Sequence, residues 1–167
     1  LFIAVSATKM HHQALLSLDD TLAYWLPEYT NQVEHADTIT IRHMLQHRSG
    51  IPDFDSQPGF DWQNSHADID VTLNYILGKS ADFSPNSRNE YSNSNYLLVA
   101  KIMDRALGFN HSVFIQEQIL TPLEMNDTFY QLDEVDLSRM INGYWLGINR
   151  TEQQYVIPGG SMISTLQ

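Results

Sequence analysis

Cysteine is absent from the 167 residues, which excludes disulfides, thiol nucleophiles and thiolate metal sites. Basic residues are scarce: 9 Lys and Arg stand against 20 Asp and Glu, for a net charge of −11. A nucleic-acid backbone needs clustered cations to release its counterions, so no nucleic-acid partner is expected, and an anionic membrane surface is disfavoured. No apolar run approaches the ~20 residues that cross a bilayer, so no membrane span is expected. Internal repeats and low-complexity tracts are missing too. What is present is globular: 43% apolar and 17% charged residues. A single compact domain of this length buries about 70% of the surface its unfolded chain exposes.

The pattern along the chain predicts mostly helix. A first helix is expected from near Ser6 to about Leu16, and a short second one through TLAYWL, closed by Pro27. Thr40 is placed to cap IRHMLQH, which Ser49-Gly50 and Pro52 stop. Residues 50–65 read as loop, Asp70 to Leu77 as helix, and ADFSPNSRNEYSNSN as a polar surface loop. SNYLLVAKIMDRALG is the strongest helix, with Leu98, Val99, Ile102, Met103 and Ala106 on one face and Gly108 at its C-cap. HSVFIQEQIL reads as helix up to Pro122, and GYWLGI and QYVI as two strands of a hairpin.

Ser6-Ala-Thr-Lys9 raises a chemical question. At i and i+3 of a helix, serine and lysine share a face. A serine in the first turn would also feel the positive end of the helix dipole. Lysine can take the hydroxyl proton only where burial or a neighbouring cation lowers its pKa. Alone, Ser-x-x-Lys recurs about once by chance in a chain this long, and a capped surface helix with a solvated lysine is then the better explanation. Tyr91-Ser92-Asn93, in the loop ahead of the best helix, adds a second element.

Ser-x-x-Lys followed by Tyr-x-Asn resembles the serine β-lactamase and penicillin-binding-protein superfamily. The closer likeness is to its β-lactamase-related branch of AmpC-type enzymes, D,D-carboxypeptidases and esterases. FIAVSATKM matches the family's Phe-x-Ile-Ala-Ser-x-Thr-Lys-Met in register, with Ile3, Ala4 and Val5 shuffled. LSLDDTLAYWLPEY, ITIRHMLQHRSGIPDF, YSNSNYLLVAKIMDRALG, ILTPLEMNDTFY and PGGSMIST follow in the family's order, so the likeness spans nearly the whole chain.

The resemblance implies an α+β, β-lactamase/transpeptidase-like fold, of which residues 1–167 would form one partial domain. That domain would hold mainly the helical part and a short β-hairpin near its C-terminus, with most of the central sheet missing. Ser6 would be the acylated nucleophile, Lys9 its proton acceptor and Tyr91 the shuttle to the leaving group. Asn93 would bind the substrate's amide side chain, and the Ser6 N–H would give half an oxyanion hole. The substrate would be a β-lactam, a D-Ala-D-Ala-type peptide or a small ester, with no metal and no cofactor. A periplasmic or secreted location would follow from the family.

Three departures temper this. The chain has no Lys-Thr-Gly, its HRSG at 47–50 matches a different family segment, and the third motif would lie beyond Gln167, as in a truncated member. The segment between Lys9 and LSLDD is short of the family's by roughly two turns. Glu124 stands where the family's Pro-Leu-Gly-Met has glycine. The rival readings are a non-catalytic remnant and a piece that needs missing strands to be active. Uncovered helix faces would then favour self-association.

His43 and His47, four apart, have metal-ligand spacing but no accompanying glutamate. Asp53 and Asp55 read as loop solvation, and Trp25, Trp62 and Trp145 as core or cleft-wall residues.

Overall fold

The computed structural model describes residues 1–62, 68–152 and 162–165. Its helices are α1 (Phe2–His12), α2 (Leu22–Trp25), α3 (Ile41–Leu45), α4 (Ile69–Leu73), α5 (Asn93–Leu107) and α6 (His111–Ile115). Gln116–Leu120 continues α6 as a wider π-type turn. Two-residue strands β1 (Tyr144–Trp145) and β2 (Ile148–Asn149) pair antiparallel, with Tyr144 opposite Asn149 and Trp145 opposite Ile148.

The hub is α5. Leu97, Leu98, Val99, Ala100, Ile102 and Met103 are all buried, so its middle is enclosed nearly all round rather than along the one expected face. The cause is its central position, with α1, α2, α3, α4 and α6 all packed against it. Gly108 ends it in the left-handed conformation, as expected of a C-cap. Thr40 caps α3 and His43 Nδ1 accepts the Thr40 N–H in return, a reciprocal box that uses one of the two spaced histidines structurally.

Helix α1 begins at Phe2, four residues before the expected start, and ends at His12 rather than Leu16. Ile3, Ala7 and Met10 point into the core from positions i, i+4 and i+7. Ser6 lies on that same buried stripe, in the second turn, which removes the first-turn dipole argument.

The helices keep some apolar side chains exposed, among them Val5, Tyr24, Val71 and Val113. The exposed large apolar residues include Ile141, Tyr144, Trp145, Leu146 and Ile148, in and beside the hairpin. That hairpin is tighter than expected: Leu146-Gly147 turns inside GYWLGI, at positive φ in both residues, and Ile148–Asn149 is the returning strand. QYVI lies outside the described residues. Further on, Ile163 and Phe129 exchange backbone hydrogen bonds of 2.8 and 2.9 Å, tying the described C-terminal residues back to the segment after α6. Glu124 sits at φ +56°, which supplies a physical reason for the family's glycine at that place.

Gly50 is a position that only glycine fits. Its φ is +81°, and an added Cβ would lie 1.9 Å from the Phe83 carbonyl oxygen. Gly50→Ala is therefore expected to destabilise the fold by about 2 kcal/mol or more, lowering the thermal midpoint by at least ~4 °C. A melt superimposable on that of the unsubstituted chain would show that the 50 and 83 backbones are not in contact.

Candidate active site

Ser6 is fully buried, and its Oγ has no hydrogen-bond partner among the described residues. A helical hydroxyl usually turns back onto the carbonyl four residues earlier, as Thr8 does to Ala4 O at 2.8 Å. Leaving a buried hydroxyl bare costs about 1–3 kcal/mol. Such an atom, like Asn95 Nδ2 and Asp53 Oδ1 among the described residues, is a place to look for function.

Lys9 lies three residues on and is half-buried. Its Nζ donates to the carbonyl of Gln118, in the wide turn after α6, at 2.9 Å. No hydrogen bond joins it to Ser6.

Tyr91 and Asn93 meet directly: the phenol donates to Asn93 Oδ1 at 2.8 Å. Their position depends on two segments that zip together, residues 46–54 and 86–95. Asn86 N–H donates to Arg48 O at 2.8 Å, and Glu90 N–H to His47 O at 2.9 Å. Ser92 N–H donates to His47 Nδ1 at 3.2 Å. Ser94 Oγ donates to Pro52 O at 2.7 Å and accepts from Phe54 N–H at 3.0 Å, while Ser49 Oγ and Asn95 Oδ1 lie 2.6 Å apart. The run HRSGIPDF is thus the scaffold on which Tyr91-Ser92-Asn93 and the first turn of α5 are built.

His47 has a second role there. Its ring lies under that of Tyr91, with centroids 4.4 Å apart, and stacks on Tyr96 at 5.2 Å. Burial lowers its pKa, and its Nδ1 serves as an acceptor, so the uncharged imidazole is the form that fits.

The carboxylates of Asp53 and Asp55 face Asn93, whose Nδ2 lies 3.2 Å from Asp53 Oδ2 and 3.4 Å from Asp55 Oδ2. This corrects their reading as solvated loop residues. Burial pushes the pKa of Asp53 up, helped by the charge of Asp55 and opposed by the hydrogen bonds from Asn93. The Tyr91 phenol is also pushed up, first by burial and then by Asp53 and Asp55. Tyr91 itself remains largely exposed.

The structure therefore brings Tyr91 and Asn93 together and carries Ser6 and Lys9 on one helix. Among the described residues no hydrogen bond links the two pairs, although α1 packs on α5. Trp62 and Trp145 line a cavity of about 340 Å³ with Gly143, Tyr144 and Arg150, as cleft walls would. Trp25 instead donates its indole N–H to Asp20. No cluster of three or more metal-ligating side chains occurs among the described residues.

The structure thus holds a buried serine with lysine three residues on in the same helix and, separately, a tyrosine hydrogen-bonded to an asparagine, the two motifs on which the sequence resemblance rests. The chain belongs to the beta-lactamase family, whose model matches residues 1–167. It is 32% identical over 130 residues to penicillin-binding protein 4* of Bacillus subtilis, covering 76% of this chain and 28% of that protein. Protein flp of Staphylococcus aureus (strain MW2) is 30% identical over 132 residues, covering 78% of this chain and 26% of flp. Among solved structures, the D-amino acid amidase of Ochrobactrum anthropi SV3 is 27% identical with a TM-score of 0.77, covering 98% of this chain and 50% of the amidase. EstCE1, described as a hydrolase with promiscuous acyltransferase activity, shares the fold at 20% identity and a TM-score of 0.75, covering 98% of this chain and 52% of EstCE1. The chain spans about a quarter of the length of the curated relatives and half that of the solved ones.

Proposed function

We propose that the protein is a serine hydrolase in which Ser6 Oγ attacks the carbonyl carbon of a β-lactam, a D-amino acid amide or peptide, or a small ester. The Oγ–C bond forms, the leaving amine or alkoxide departs, and water then releases the acyl group. Lys9 takes the Ser6 proton, Tyr91 passes a proton to the leaving group, and Asn93 holds the substrate's amide. The backbone N–H of Ser6 stabilises the developing oxyanion. The observation that supports this reading is the buried Ser6 hydroxyl, which no other group among the described residues engages.

In this mechanism Lys9 Nζ leaves Gln118 O and turns to Ser6. Its engagement with that carbonyl favours the second reading, a non-catalytic remnant. Residues 1–167 carry no Lys-Thr-Gly strand to complete the oxyanion hole. Losing one such donor costs about 3–4 kcal/mol of transition-state stabilisation. The 167-residue chain is therefore expected to turn over nitrocefin, p-nitrophenyl acetate and D-phenylalanine amide near background, yet to be labelled slowly at Ser6 by a fluorophosphonate. Turnover above one per second that depends on Ser6 would show that no further strand is required. Absence of any label would favour the remnant.

A further inference from the structure

The carboxamide of Asn93 is engaged on every side within the chain. Its oxygen accepts from Tyr91, and its nitrogen faces Asp53 and Asp55. Carboxylates only accept, so the amide nitrogen is the end that must face them, and a flipped amide would set oxygen against two anions. A fixed amide in turn presents Tyr91 with an acceptor and keeps the phenol in its donating form.

We propose that Asp53 and Asp55 are positioning residues that lock the Asn93 carboxamide with its oxygen toward Tyr91, so that Tyr91 enters the reaction as a hydrogen-bond donor. The catalytic consequence rests on the hydrolase reading above; the clamp itself does not.

The two acids are not equivalent. Asp53 makes the shorter contact, and its second oxygen, Oδ1, is buried without a partner among the described residues. The residue after it, Phe54, is fully buried and its ring packs against Phe60 and Trp62 with centroids 5.1 and 6.1 Å away. Burial disfavours its charged form, and the neighbouring Asp55 charge disfavours it further. A proton taken up by Asp53 weakens its hold on the Asn93 N–H while leaving the longer contact from Asp55. The described titratable groups facing this point are Asp55, Tyr91 and the imidazole of His47 beneath Tyr91. For the reaction, Asn93 can offer an N–H to a substrate carbonyl only by giving up a contact to Asp53 or Asp55, and the 3.4 Å contact to Asp55 is the weaker.

The test is a pH titration of the Asn93 side-chain amide by proton–nitrogen NMR on the 167-residue chain, with the signal assigned by its loss in Asn93→Ala. In the unsubstituted chain the amide should shift through a step whose midpoint lies above the ordinary aspartate range. Asp53→Asn, which keeps the shape and removes the charge, should abolish that step. Asp55→Asn should keep the step and move its midpoint down, because the like charge is gone; it also serves if Asp53→Asn does not fold. A purely structural role for the loop predicts no such ordered response. An amide insensitive to pH, or a midpoint that Asp55→Asn leaves in place or raises, overturns the clamp. Fluorophosphonate labelling of Ser6 is read on the same samples. An intact amide step with no labelling counts against the hydrolase reading and leaves the clamp standing; labelling without the step does the reverse.

Discussion

Ser6→Ala is expected to reduce turnover by on the order of a million-fold in any form of this protein that hydrolyses substrate, the scale of losing a catalytic serine. The substitution removes one oxygen that no group among the described residues bonds, so the fold should gain rather than lose by it. Stability and activity should therefore move in opposite directions. The thermal midpoint should hold or rise slightly while acylation disappears. A Ser6→Ala chain that loses stability and activity together would mean that the hydroxyl serves the core. One that still gains the mass of a fluorescent penicillin would place the nucleophile elsewhere.

Lys9→Arg tests the proton acceptor. Arginine keeps the positive charge and can still donate to the Gln118 carbonyl that Lys9 now engages, so the contact between α1 and the turn after α6 survives. A guanidinium stays protonated at any working pH and cannot accept the serine proton. Positioned general bases contribute about 10²–10⁴-fold, and acylation by Lys9→Arg should fall by that factor, nearly as far as by Lys9→Ala. Acylation at the unsubstituted rate would identify Lys9 as a structural cation tied to Gln118. Single-turnover labelling is the appropriate readout, because it reports acylation free of product release.

Much of the scaffold is legible in the sequence because it rests on local chemistry. Thr40 caps α3, Gly108 closes α5, and the turn-rich run at 81–92 stays out of regular structure, each for reasons confined to a few neighbouring residues. The errors arise where tertiary packing decides. The buried face of α5 is wider than its periodicity suggests, since five other helices surround it. The hairpin turns at Leu146-Gly147 because both residues adopt positive φ, a choice that GYWLGI does not advertise.

The candidate site divides in the same way. Ser6, Lys9, Tyr91 and Asn93 stand out by type and spacing. His47, Asp53 and Asp55 do not, because their partners lie about forty residues away and are reached only when 46–54 zips against 86–95. One signal pointed to them: HRSGIPDF matched the family as a block, and Asp53 lies inside it. A loop that merely solvates the chain would not need both the Gly50 conformation and that run of hydroxyl and carbonyl partners.

The central claim is that Ser6 Oγ is the atom that becomes acylated, and mass mapping tests it most directly. The 167-residue chain is incubated with a fluorophosphonate, digested with trypsin and sequenced by tandem mass spectrometry. Cleavage after Lys9 yields Leu1–Lys9, in which Ser6 and Thr8 are the only hydroxyls. The account predicts one adduct, on this peptide, localised to Ser6 and absent from Ser6→Ala. An unmodified Leu1–Lys9 after prolonged exposure, or an adduct on Thr8 or on any other peptide, would contradict it.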